Sequence, residues 1–96
     1  DEVVAGIGGR VAEELGRLLA DLGGRDQVLV VTHLPQVASR ASAHLAVQKV
    51  VEGGRSVTRV KVLEGDSRVE EVVRMLGGTA KTPAARQHAR QLLRSR

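Results

Sequence analysis

The residue types that act on phosphates stand at two places in the chain. Asp1 and Glu2 are its first residues, and His33 follows an apolar run at 28–31. One carboxylate can hold Mg²⁺, a second can orient or deprotonate a water molecule, and an imidazole can donate a hydrogen bond to a phosphate oxygen. If the fold brings these side chains together, they predict a metal–phosphate site. The alternatives are an exposed acidic end and a histidine in an ordinary surface loop.

A helix and a strand between these positions would bring them to one edge of a sheet. Apolar residues recur at helical spacing over 10–22, and Gly23 with Gly24 supplies a stop. The continuous apolar run at 27–32 is typical of a strand buried on both faces of a parallel sheet. If a strand also precedes the helix, the three elements form a parallel βαβ unit, and ligands collect at the carboxyl ends of such strands.

The second half of the chain predicts an antiparallel hairpin followed by two helices. Alternating apolar and polar residues over 44–51 and 56–63 indicate two strands, with the turn at Gly53 and Gly54. The fold class predicted from these patterns is α/β: a parallel βαβ unit, a β-hairpin and two helices.

Local signals mark the starts of three helices. Pro35 suits the first turn of a short helix that ends near residue 41. Ser67 and Glu70 have the spacing of a capping box, and a Thr-Pro pair at 82–83 precedes a last helix that ends near residue 94. The predicted buried face of the middle helix comprises Val69, Val72, Val73 and Leu76.

Composition limits the class of protein. The 96 residues include no cysteine and no Phe, Tyr or Trp, so the core must be aliphatic, and neither disulfides nor thiolate chemistry is available. A domain of this size buries only about 60–65% of its unfolded surface, so we expect it to need partners. No apolar run approaches the roughly 20 residues of a membrane span, so we expect a cytoplasmic protein without a membrane partner.

Three segments of the chain resemble one protein family closely. They are DEVVAGIGG at 1–9, VTHLPQVA at 31–38 and RMLGG at 74–78. They are similar to the C-terminal end of the RecN family of bacterial DNA repair proteins, which are SMC-like ABC-type ATPases. The resemblance covers 1–96 and implies the C-terminal portion of a P-loop ATPase head, from the Walker B end through the D-loop and H-loop to the terminal helices.

The resemblance also implies a role for each site residue. Asp1 would be the Walker B aspartate that binds Mg²⁺, and Glu2 the adjacent glutamate that activates water for ATP hydrolysis. Gly6 and Gly8 would belong to the D-loop, which packs across a homodimer of heads. His33 would be the H-loop histidine that contacts the γ-phosphate. Together with the rest of the head and with DNA, the protein would act in double-strand break repair and recombination at the nucleoid.

Two departures from the family pattern limit what this chain does alone. Val4 stands where the family has an aspartate, so a carboxylate expected at the contact between heads is absent. Neither a G-x-x-x-x-G-K-[ST] phosphate loop nor a Leu-Ser-Gly-Gly-type signature occurs in the sequence. Because that loop holds the β- and γ-phosphates, we expect the isolated chain not to hydrolyse ATP.

A second hypothesis is a non-catalytic basic module that binds DNA or a protein partner. Arg86, Arg90 and Arg94 recur every four residues on the last helix, and such stripes attract phosphate backbones. A solvated helix face is the simpler explanation of the stripe. No aromatic side chain is present to stack on a base, so DNA contacts would be electrostatic. His44 and His88 lack metal-ligand spacing and receive no role.

Overall fold

Four helices and a two-stranded sheet form the part of the molecule that the computed structural model describes, residues 8–77 and 82–94. The helices are α1 (Gly9–Gly23), α2 (Pro35–Ala38), α3 (Asp66–Met75) and α4 (Pro83–Arg94). The strands are β1 (His44–Glu52) and β2 (Arg55–Leu63). The structure is therefore mixed α/β, as the sequence predicts.

The predicted hairpin is confirmed. Strands β1 and β2 pair antiparallel, from His44 opposite Leu63 to Glu52 opposite Arg55. The turn between them has positive φ at both central residues, +56° at Gly53 and +78° at Gly54. A two-residue turn of this kind matches the right-handed twist of the strands, and glycine adopts it without steric cost.

The predicted N-cap of α3, Ser67, is wrong by two residues. The residue before the helix is Gly65, whose φ of +56° turns the chain, and Asp66 begins the helix. Ser67 makes no capping bond to the helix. Instead its hydroxyl accepts a hydrogen bond from the Glu64 N–H (3.0 Å) and donates one to the Glu64 carbonyl (2.8 Å). The serine therefore stabilises the turn before the helix rather than capping it.

The main core lies between α3 and α4. Val72, Val73 and Ala89 are fully buried, and Val69 joins them. Leu76, Ala85, Leu92 and Leu93 pack around this cluster. The predicted apolar face of the middle helix is thus confirmed. The last helix also starts as predicted, with the Thr82 carbonyl accepting the Arg86 N–H at 3.2 Å.

Residues 27–32 form no strand, and the strand prediction is wrong for the described residues. Leu29 and Val31 are 86% and 83% exposed, whereas Val28 and Val30 are about half covered. A strand requires a neighbour for its backbone N–H and C=O groups, and the hairpin is the one sheet in the described part of the chain. The predicted parallel βαβ unit is therefore not observed there, and its first strand would lie outside the described residues.

Much apolar surface remains uncovered. The accessible surface is 7011 Å², whereas a compact protein of this mass exposes about 5,300 Å². The exposed large aliphatic side chains lie on α1, on the 28–31 segment and on one face of the hairpin. They are Val11, Leu18, Leu22, Val28, Leu29, Val30, Val31, Leu45, Val47, Val51, Val60 and Val62. Exposed apolar surface of this extent is typical of faces that contact other protein.

Candidate functional site

His33 lies in a tight turn at the end of the 28–31 segment. The Leu34 N–H donates a hydrogen bond to the Thr32 hydroxyl at 3.0 Å, which closes the turn around His33. Leu34 is extended (φ −91°, ψ 116°), as the residue before a proline prefers, and Pro35 is the first residue of α2. This local chemistry ends the apolar run and leaves His33 exposed at the surface.

Gly8 lies at the start of α1 and is also exposed. It is extended (φ −73°, ψ 166°), and its carbonyl accepts the Ala12 N–H at 3.1 Å. Among the described residues, no side chain caps this helix end, and its first turn contains no acidic residue. Backbone N–H groups at the start of α1 are therefore not satisfied by a side chain of these residues.

Gln36 of α2 lies against α1. A Cβ built at Gly9 would be 3.6 Å from the side-chain amide nitrogen of Gln36, three residues beyond His33. Further along α1, Ala12 and Gly16 are buried. Of the predicted site residues, the structure describes Gly8 and His33, and both are exposed. The other three, Asp1, Glu2 and Gly6, lie outside the described residues.

Sequence analysis missed the contact that Arg68 makes with the C-terminal end of α2. Arg68 of α3 is only 7% exposed, and its guanidinium donates hydrogen bonds to the carbonyl oxygens of Ala38 (3.2 Å) and Ala41 (2.6 Å). Arginine is rarely buried unless it is paired, so this contact is specific. The available signal was the position of Arg68 four residues before Val72, which places both on one face of α3.

His44 begins β1, as predicted, and two charged residues of α3, Arg68 and Glu71, act on it electrostatically. Its Nδ1 atom is buried and makes no hydrogen bond with a described residue. Burial and then the positive charge of Arg68 lower the pKa of His44, although the Glu71 carboxylate opposes this shift. Glu71 accepts hydrogen bonds from Arg74, one of 3.0 Å, and this interaction lowers the pKa of Glu71. The surroundings of His44 therefore favour the neutral imidazole.

The predicted arginine stripe on α4 is partly used within the fold. The Arg86 guanidinium lies 3.5 Å from an Asp66 carboxylate oxygen and 4.0 Å from one of Glu70, so it joins α4 to α3. Arg90 and Arg94 line an open cleft of about 550 Å³ beside the Gly65 turn, which Glu64 and Asp66 also line. The stripe therefore does not present three unopposed cations to a ligand.

Two kinds of feature are absent from the residues that the structure describes. Within residues 8–77 and 82–94, no three His, Asp or Glu side chains come together as a metal site would require. None of the helices described is both long enough and apolar enough to cross a bilayer.

Comparison with known proteins gives one consistent group of relatives. No family model matches the chain. It is 53% identical over 93 residues to the DNA repair protein RecN of Streptomyces coelicolor and 53% identical to that of Deinococcus radiodurans. It is 42% identical over 94 residues to RecN of Bacillus subtilis. These matches cover 97–98% of the chain but only 16% of each relative, so the chain spans about a sixth of their length.

Proposed function

This chain belongs to the RecN family of DNA repair proteins, and we propose that it is the C-terminal part of an ATP-binding, ATP-hydrolysing head. The complete protein would act in DNA double-strand break repair and recombination. The observation that carries the proposal is the exposed His33, held in a hydroxyl-closed turn directly before α2. An imidazole can donate a hydrogen bond to a phosphate oxygen.

In this proposal, the 28–31 segment becomes a strand when the rest of the head is present. Its apolar side chains are exposed in the described structure, although residues of this kind favour burial in a parallel sheet. A neighbouring parallel strand, ending at Asp1 and Glu2, would satisfy its backbone groups. His33 and both carboxylates would then lie at the carboxyl edge of one P-loop type sheet.

Each site residue has a distinct task in the proposed head. Asp1 would hold Mg²⁺, which neutralises charge on the phosphates, and Glu2 would orient and deprotonate the attacking water. His33 would donate a hydrogen bond to the γ-phosphate. Gly6 and Gly8 would let the D-loop backbone approach the nucleotide and the second head of a homodimer. Val4 supplies no carboxylate at that contact.

The isolated chain is proposed to be inactive, because a P-loop ATPase needs groups that this sequence does not contain. Neither a phosphate loop nor a signature sequence is present. Without the amides and lysine of the loop, the β- and γ-phosphates have no firm anchor. ATP and Mg²⁺ are therefore expected to bind tightly only to the complete head.

The proposed partners of this chain are the rest of the head and DNA. The apolar faces of α1 and the hairpin would pack against the rest of the head, and DNA would be engaged by the whole protein. A repair protein of this kind would work in the cytoplasm at the nucleoid, without a membrane partner.

The proposal is tested in the full-length protein by three single variants. Glu2→Gln removes the proposed base and should retain bound ATP while turnover falls by on the order of 100-fold. His33→Ala should also reduce turnover, because a hydrogen bond to the developing charge is lost. Arg90→Ala is the control and should hydrolyse ATP at the normal rate. Normal turnover in both Glu2→Gln and His33→Ala would refute the proposed site.

The basic-module hypothesis remains as a second candidate, favoured by the two arginines at the α4 cleft. It expects this chain in isolation to bind duplex DNA, with an affinity that falls steeply as salt increases. Replacing Arg90 and Arg94 together by glutamine should abolish that binding. The ion pairs of Arg86 with α3 weigh against this candidate, because they neutralise one third of the stripe.

A further inference from the structure

Helix α2 cannot hold its own position. It has only four residues. So short a helix is unstable in isolation, because the conformational entropy lost in forming the first turn exceeds the free energy gained from its hydrogen bonds. The turn that contains His33 leads directly into it. The contacts that hold α2 therefore also determine where the His33 side chain lies.

Arg68 holds the C-terminal end of α2 from a distant part of the chain. Its two hydrogen bonds reach carbonyl groups 30 and 27 residues earlier, at Ala38 and Ala41. Ala38 is the last residue of α2, and its carbonyl oxygen also accepts the Ala41 N–H at 3.2 Å, whereas Ala41 lies three residues beyond the helix. Carbonyl oxygens at the C-terminal end of a helix carry partial negative charge. A buried guanidinium satisfies them with strong, charge-assisted bonds.

We propose that Arg68 is a positioning residue for His33, acting through α2. The inference rests on the proposed function, since it assigns a residue that supports the histidine at the γ-phosphate. Arg68 belongs to α3, whose apolar face packs on α4 rather than on α2. A shift of the α3–α4 pair would therefore move the end of α2, and with it the His33 turn.

The alternative is that Arg68 contributes only to folding. A folding role predicts that loss of Arg68 lowers turnover by the same factor whether or not His33 is present. A positioning role predicts that the effect of Arg68 disappears once His33 has been removed. A double-mutant cycle separates the two, because residues that act through one another are not additive.

The experiment measures single-turnover ATP hydrolysis by the full-length protein. Arg68→Gln should lower the rate on the order of tenfold, since a small displacement of a catalytic group has effects of this size. ATP affinity should change less than about twofold, because the phosphate loop supplies most of the binding. Arg74→Gln is the control: it removes an exposed arginine from the same helix and should leave the rate unchanged.

The same substitutions are then made in a His33→Ala background. We expect Arg68→Gln to change the rate there by less than about twofold, as non-additivity requires. A tenfold loss in both backgrounds would overturn the positioning role and leave the proposed function intact. Normal turnover by both Glu2→Gln and His33→Ala would overturn the proposed function and this inference with it, whereas normal turnover by His33→Ala alone would overturn only this inference. If Arg68→Gln does not fold, Arg68→Lys, which keeps the charge, enters the cycle in its place.

Discussion

Gly16 of α1 lies against the main chain of Gln36 in α2, so closely that a Cβ built at position 16 would be 2.6 Å from the Gln36 carbonyl oxygen. The two helices therefore meet through backbone rather than through large side chains. Ala12, one turn earlier on the same face of α1, is also buried. This contact holds α2 from α1, and Arg68 holds its C-terminal end from α3.

Gly16→Ala should destabilise the chain. The added methyl group overlaps a backbone atom, which lowers the free energy of unfolding by roughly 1–3 kcal/mol. The higher helix propensity of alanine raises it by up to about 1 kcal/mol. We expect a net loss of about 1 kcal/mol, measured by urea unfolding. Gly23→Ala is the matched control, because no atom lies within 4 Å of its Cβ position, and it should not destabilise. Equal stability of the two variants would contradict the close contact.

Substitutions at the two glycines of the hairpin turn should differ in their effect on stability. Gly54→Ala places a side chain at φ +78° and should cost about 1 kcal/mol. Gly53→Asn should be nearly neutral, because asparagine tolerates the left-handed region at φ +56°. Thermal unfolding monitored by circular dichroism measures both. A destabilised Gly53→Asn with an unaffected Gly54→Ala would rule out this turn.

Stability should fall as the pH drops below 6.5, and His44 should be the cause. Its pKa is lowered from 6.5 in the folded chain, so the unfolded chain binds the proton more tightly. His44 therefore contributes its full stability above pH 6.5, and protonation of the unfolded state removes part of it as the pH falls further. Urea unfolding between about pH 7.5 and pH 5 measures this slope.

His44→Gln should flatten this pH dependence. Arg68 and Glu71 are the charged groups that shift the His44 pKa, and both remain in the variant. Glu71 has a lowered pKa, so its contribution is lost only at pH values below 4.5, outside this window. His88→Gln, which alters an exposed histidine on α4, is the control. An unchanged slope in His44→Gln would show that another group is responsible.

The exposed face of the hairpin should cause the isolated chain to associate. Val47 and Val60 are opposite each other and are 68% and 63% exposed. Replacing both by threonine keeps the β-branched shape but reduces the apolar patch. Sedimentation should show less self-association, with unfolding free energy changed by less than about 0.5 kcal/mol. Val72→Thr, at a fully buried position, should instead lose stability without changing association.

The sequence alone determined the elements whose stability is local. The two glycines at the hairpin turn, the prolines that begin α2 and α4, and the apolar face of α3 are all short-range signals. Each follows from backbone freedom, a missing N–H or the helical period. Membership of the RecN family was also apparent from short segments, since sequence identity does not depend on the fold.

Only the tertiary structure decided which groups are buried and which find partners. It left the 27–32 segment unpaired, because a strand exists only where a neighbour accepts its hydrogen bonds. It gave the Ser67 hydroxyl a bond to Glu64 in the turn before α3 instead of a capping role, because Gly65 occupies the capping position. It also buried Arg68 against two carbonyl groups about 30 residues away in sequence. Contacts of this kind depend on the distances between distant segments, which local sequence patterns do not encode.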